Sequence, residues 1–189
     1  SALVLLGPRR TEVQSRGLPT LGNGEALLKV AAVGVCATDV ELFEGTMGYF
    51  EAGFATWPFV PGHEWAAEIV ALGKGAPEHL AIGHRVVGEH ATGCAQLEVP
   101  GAPPPPVAEA AEGIGGFAAK AFMRAKCAAC TAPGGFLRCP RRAETGFFRR
   151  DGAFQTHMRF PARQLHVLRK DTPWALAVLA EPLSTAHKA

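Results

Sequence analysis

A chain of 189 residues is long enough to bury one good-sized core and to begin a second domain. Hydrophobic residues make up 48%, and 22 Gly with 15 Pro indicate a turn-rich body with more strand than helix, which excludes a disordered chain. Nineteen Lys and Arg against seventeen Asp and Glu leave +2, too near balance to imply nucleic acid or a membrane as partner, and no apolar run is long enough to span a bilayer. Five cysteines, an odd number that includes Cys127-Ala-Ala-Cys130, favour metal ligation in a reducing compartment over a disulfide frame, so a cytoplasmic location is expected.

The opening residues Ser-Ala-Leu-Val-Leu-Leu-Gly-Pro carry no basic leader and predict a first strand over residues 2–6, not a signal peptide. The missing initiator Met and an end at Ala189 inside a helix signal point to a fragment of a longer protein. A second strand is expected over residues 25–35, after the turn Leu21-Gly-Asn-Gly24. It runs directly into Cys36-Ala37-Thr38-Asp39, where Thr38 or Asp39 can cap a short helix over residues 40–44 that Gly45 would stop. Residues 46–61 hold five aromatics; they could wall a substrate pocket, with packing the plainer reading.

Val60-Pro61-Gly62-His63-Glu64-Trp65 follows, a Pro-Gly turn that delivers an adjacent His and Glu to the mouth of an apolar stretch, residues 66–71. Strands are expected over residues 65–72 and 83–88. Beyond Cys94, residues 97–126 are dominated by Ala, Pro and Gly and read as an inserted surface loop. Within it, Gly113-Ile114-Gly115-Gly116-Phe117-Ala118 fits the form G-x-G-x-x-G/A, but no strand precedes it, so it is not taken as a dinucleotide loop. The basic run over residues 138–142 reads as a solvated loop face. A half-buried strand is expected over residues 153–160, with Phe154, Thr156, Met158 and Phe160 on one face, and a shorter one over residues 165–168. Asp171-Thr172-Pro173 starts a helix that should break near Pro182, leaving Glu181 at a junction.

Taken singly, Cys36 would be a small buried hydrophobe and His63-Glu64 a surface pair. Their order along the chain, Cys, then His-Glu, then Glu181-Pro182, each at the end of an element, favours a metal site with mixed S, N and O ligands. His79, His84, His90, His157, His166 and His187 are read as surface or satisfied core residues.

In combination, Gly34-Val35-Cys36-Ala37-Thr38-Asp39, Pro61-Gly62-His63-Glu64, Asp151-Gly152-Ala153-Phe154, Glu181-Pro182-Leu183 and the cysteines Cys94, Cys127, Cys130 and Cys139 resemble the zinc-dependent medium-chain alcohol and polyol dehydrogenases. The resemblance runs along the whole chain apart from the insert. It implies a mainly β fold with short helices, a GroES-like barrel over residues 1–170, then linker helices over 171–189 leading to a nucleotide-binding Rossmann domain that the chain does not contain. It implies Cys36 and His63 as fixed ligands of a catalytic zinc, with Glu64 as a ligand or an exchange partner for bound water. Glu181 would approach the metal directly or through water, Thr38 would take the proton from the substrate hydroxyl, and Asp39 would hold His63 from behind. Zinc would act as Lewis acid while hydride leaves for NAD or NADP held by the absent domain.

Cys94, Cys127, Cys130 and Cys139 would form the family's structural zinc knuckle, a second zinc site, with its first interval opened by the insert of 30 residues. Closing such a loop costs on the order of 1–2 kcal/mol, because the entropy grows only logarithmically with length. The sequence departs from the family pattern at Ala67, at His84 and at Gln155-Thr156-His157. The function implied is oxidation of an alcohol, polyol or sugar, with a small-molecule substrate and a full-length protein open to homo-oligomer formation. The alternative is a non-catalytic, zinc-stabilised GroES-like module that binds a partner through its insert.

Overall fold

The computed structural model describes residues 1–93, 139 and 141–188. Cys94, Cys127 and Cys130, the insert 97–126 and the glycine motif inside it lie outside these residues.

Two strands, β1 (Ala2–Gly7) and β2 (Arg10–Gln14), form an antiparallel hairpin. Strand β2 went unread in the sequence because Arg10–Gln14 is almost wholly exposed and carries no apolar alternation. The central element is a five-stranded antiparallel sheet built from β3 (Glu25–Val33), β4 (Trp65–Leu72), β5 (Arg85–Gly88), β9 (His157–Pro161) and β10 (Leu165–Val167), in the order β10-β5-β4-β3-β9. A smaller sheet joins β6 (Ala91–Thr92), β7 (Ala143–Thr145) and β8 (Arg149–Arg150), with β7 and β8 parallel. Short helices complete the described residues: α1 (Ala37–Glu44), α2 (Gly48–Glu51), α3 (Trp174–Ala177) and α4 (Ala180–Lys188). The mainly β organisation expected from composition is present. Among the described residues no helix is long and apolar enough to cross a membrane.

The main core follows from the register of the large sheet. Leu28 on β3 stands opposite Ile69 on β4 and Met158 on β9, so one face gathers Leu28, Ile69, Val86, Met158 and Phe160, with Trp65 edge-on to Phe160 at 4.9 Å. Burying each such side chain contributes about 1.5–3 kcal/mol. Much of the aromatic loop packs inward: Phe50 stacks on Trp57 at 3.8 Å and, with Phe59, covers Leu5 and Leu42.

Several expected boundaries are corrected. Strand β9 begins at His157, not at residue 153, because residues 153–156 bend to meet other partners: Phe154 donates its N–H to the Pro61 carbonyl and accepts from the Leu3 N–H. Helix α1 begins at Ala37 with Cys36 as its cap. The final helix does not break at Pro182. The chain turns at Val178-Leu179, and Pro182 sits in the first turn of α4, where its missing N–H would have had no helical partner.

Candidate metal centre

Strands β3 and β4 run antiparallel, so the end of one meets the start of the other, and this places Cys36 beside His63. The ladder extends one step past the strands, with the Gly34 N–H donating to the Glu64 carbonyl at 2.7 Å. Between Val30 and Ala32 the register slips by one residue, a bulge of the kind that re-aims side chains next to sites.

The Pro61-Gly62 turn is held from behind by the segment 151–154. Asp151 accepts the Val60 N–H through Oδ1 at 2.9 Å, and the Ala153 N–H donates to the Gly62 carbonyl at 2.8 Å. Gly62 has φ +101°, a left-handed backbone that only glycine adopts without strain. Gly146 and Gly152 press on the same point, and a Cβ at Gly146 would stand 2.6 Å from the Gly62 carbonyl oxygen. The glycines of the Asp151-Gly152 and Pro61-Gly62 motifs therefore let three backbone segments meet directly beneath His63.

Cys36 caps helix α1: its Sγ accepts the Thr38 N–H at 3.3 Å, while Asp39 Oδ2 accepts the Cys36 N–H at 3.0 Å. This is a capping box in which a thiol replaces the usual hydroxyl. His63, 5% exposed, presents Nε2 to Cys36 Sγ at 3.3 Å and turns Nδ1 toward Asp39 Oδ2 at 3.7 Å. Glu64 Oε1 is 3.9 Å from His63 Nε2. The ligand atoms of Cys36, His63 and Glu64 all lie within 4.8 Å of one another, and no other such group of three or more occurs among the described residues.

The donor set fits zinc. One cysteine sulfur, one imidazole and one carboxylate converge, the mixed S, N and O set that suits zinc, and the Asp39 carboxylate stands on the Nδ1 side of the imidazole. His63 Nδ1 and Asp39 Oδ1 are buried with no hydrogen-bond partner among the described residues. Burying such groups is costly unless their electrostatics are satisfied, which an ion on the other ring nitrogen would help to do.

Thr38 lies in the first turn of α1, two residues from Cys36. Glu181 is not part of the cluster: it occupies the first turn of α4, and its Oε1 accepts from Thr185 Oγ1 at 3.4 Å. Cys139 is buried and lies at the start of the segment leading to β7.

Side chains from distant segments surround His63 without any local motif to mark them. The Phe147 ring packs at 4.3 Å from the His63 ring, and His90 stands edge-on to it at 5.5 Å, with its Nε2 3.3 Å from Glu144 Oε2. His90, expected to be an ordinary surface or core residue, thus borders the site. Arg142 Nη2 pairs with Glu144 Oε1 at 2.8 Å, so part of the basic run expected to be a solvated face is engaged with a buried carboxylate. Burial would raise the Glu144 pKa, but the hydrogen bond to His90 and the charges of His90, Arg142 and His63 outweigh it and hold the carboxyl below its ordinary value. Tyr49, edge-on to Phe148 at 5.1 Å, has its phenol pushed up by burial and then by the Glu144 charge. A cavity of about 290 Å³ opens between Ala55–Phe59 of the aromatic loop and Phe147–Asp151. Its wall shares Phe147 with the surroundings of His63.

The chain resembles known proteins over much of its length. Erythritol/L-threitol dehydrogenase of Mycolicibacterium smegmatis is 29% identical over 191 residues, covering 97% of this chain and 44% of that protein. Sorbitol dehydrogenase of Bacillus subtilis is 32% identical over 98 residues, covering 51% of this chain and 27% of that protein. Among solved structures, galactitol-1-phosphate dehydrogenase from Escherichia coli superposes with a TM-score of 0.72 at 19% identity, covering 98% of this chain and 43% of that one. Alcohol dehydrogenase TADH from Thermus sp. ATN1 does so with 0.70 at 24% identity, covering 98% and 45%. These two show a shared fold, and the chain spans less than half the length of each of these relatives. Residues 22–170 match the alcohol dehydrogenase GroES-like domain, and the chain, with its Cys36–His63 turn-to-turn centre, belongs to that family.

Proposed function

We propose that this chain is the catalytic part of a zinc-dependent oxidoreductase acting on an alcohol or polyol, with hydride passed to NAD or NADP. In this reading residues 1–170 are the catalytic domain and residues 171–189 lead toward a nucleotide-binding domain. One observation carries the proposal: Cys36, His63 and Glu64 come from two separate turns yet converge within 4.8 Å. The polyol dehydrogenases among the relatives, named for erythritol or L-threitol and for sorbitol, support the substrate class.

Cys36, His63 and Glu64 would hold the metal. Bound there, zinc would supply Lewis-acid polarisation of a hydroxyl oxygen. The protein's own residues set the geometry. Asp39 orients the His63 ring through its Nδ1 side and, through the Cys36 N–H, the turn that carries the thiol. Phe147 covers the ring and keeps water from that face. Thr38, beside Cys36 at the start of α1, would accept the hydroxyl proton. No comparable support places Glu181 in the ligand set.

Metal content of the purified chain tests the reading. Cys36→Ser and His63→Ala should each remove one equivalent of zinc. If both retain wild-type zinc while Cys130→Ser loses it, the metal is only structural and the binding-module reading takes over. The chain alone should bind zinc without NAD-dependent turnover; turnover would refute the need for a second domain.

A further inference from the structure

Gly34 is the residue where the Cys36 turn, the Glu64 side chain and the turn between α3 and α4 meet. Its φ lies outside the left-handed region, so backbone freedom is not what glycine supplies here. It supplies space. A Cβ built on Gly34 would overlap Glu64 Oε2 and come within 3.1 Å of both Glu64 Cβ and Val178 Cγ1. Val178 is 8% exposed and packs with Ala66 and Ala177, against which Trp174 also rests. That group is tied to the sheet by Arg85, whose guanidinium lies 4.3 Å over the Trp174 ring and whose Nη1 donates to the Thr172 carbonyl at 2.7 Å.

We propose that Gly34 is a positioning residue: its bare backbone and Val178 together form the seat of the Glu64 carboxylate, so the turn between α3 and α4 sets how far Glu64 stands from Cys36 and His63. The proposal rests on the metal reading above and assigns a structural control to one of its ligands. Two features make the control specific. The first clash at Gly34 is with the far end of a flexible side chain, so a methyl there displaces the carboxylate before it disturbs the sheet. Val178, in contrast, sits in a packed cluster held by Arg85 and cannot readily yield. A change of side chain at Val178 therefore changes the room available to Glu64 while Cys36 and His63 keep their own side chains.

The test is Co²⁺ binding to the full 189-residue chain, with the affinity taken from competition with a chromophoric chelator and the thiolate-to-cobalt absorption as the signal. Cys36→Ser identifies the part of that signal belonging to this site. Gly34→Ala should weaken Co²⁺ there by about tenfold to a hundredfold, the range seen when groups supporting metal ligands are lost. In a Glu64→Ala background the same substitution should leave the affinity as it was, because the displaced carboxylate is already gone. Val178→Ala adds no volume and serves if Gly34→Ala does not fold; it too should weaken Co²⁺ when Glu64 is present and not when it is absent. Wild-type affinity in both variants, or a loss that persists without Glu64, overturns the proposal. If Cys36→Ser leaves the thiolate signal unchanged, the metal reading itself fails and takes the proposal with it.

Discussion

Asp39 does two separable things, and one pair of substitutions can tell them apart. Its Oδ2 accepts the Cys36 N–H at 3.0 Å, closing the capping box of α1, and the same oxygen faces His63 Nδ1 at 3.7 Å. Asp39→Asn keeps an acceptor oxygen for the cap but removes the negative charge from behind the imidazole. The apo protein should therefore lose only a few tenths of a kcal/mol, since amide and carboxylate oxygens serve nearly equally at helix starts. Metal affinity should fall by about 10- to 100-fold, or roughly 1.4–2.8 kcal/mol, the usual effect of losing an acidic partner behind a ligating histidine. Asp39→Ala should add the loss of its half of the capping box, about 1 kcal/mol of apo stability, to the same loss of affinity. The assays are the urea midpoint of the metal-free chain and the zinc dissociation constant by chelator competition, with an unchanged m-value confirming a comparable unfolding. If Asp39→Asn binds zinc as tightly as wild type, Asp39 does not orient His63 and the reasoning is wrong.

Gly152→Ala should destabilise by about 1–3 kcal/mol, because its methyl would overlap the Gly62 carbonyl oxygen, a backbone atom held in the turn beneath His63. For a chain of this size that is a fall in Tm of roughly 2–4 °C per kcal/mol, measurable by thermal unfolding; an unchanged Tm would show that the three-glycine contact is not tight. Glu144 has its carboxyl held below the ordinary value of 4.5, so its ionised form favours the fold above that pH, and the contribution fades as pH falls from 4.5 through the folded value. Glu144→Gln should accordingly be less stable than wild type at neutral pH, with the gap narrowing in acid. A gap that stays constant in urea midpoints down to pH 4.5 and below would remove the charge from the explanation.

Local chemistry is what the sequence by itself determined. The Pro61-Gly62 pair specifies a turn whoever its neighbours are, because glycine alone takes φ +101° without strain, and Gly45 stops α1 for the same reason at φ +77°. The apolar runs around Leu28 and Ile69, bounded by turn residues, announced strands. The ordered set Cys36, His63-Glu64 named the side chains that the fold brings together before any distance was known. Pairing was beyond it. Arg10–Gln14 becomes a strand only because β1 lies beside it, since its own side chains stay in water. Residues 153–156 leave the strand pattern because Pro61 and Leu3 compete for the backbone of Phe154. Glu181, sound as a motif, stays out of the cluster because the chain turns at Val178-Leu179 and begins a new helix. His90 and Phe147 reach His63, and Glu144 reaches His90, through contacts between segments far apart in the chain, and no local pattern encodes which segments will touch. Sequence sets the conformational preferences of each stretch, but the long-range packing of the folded chain decides which side chains share a space.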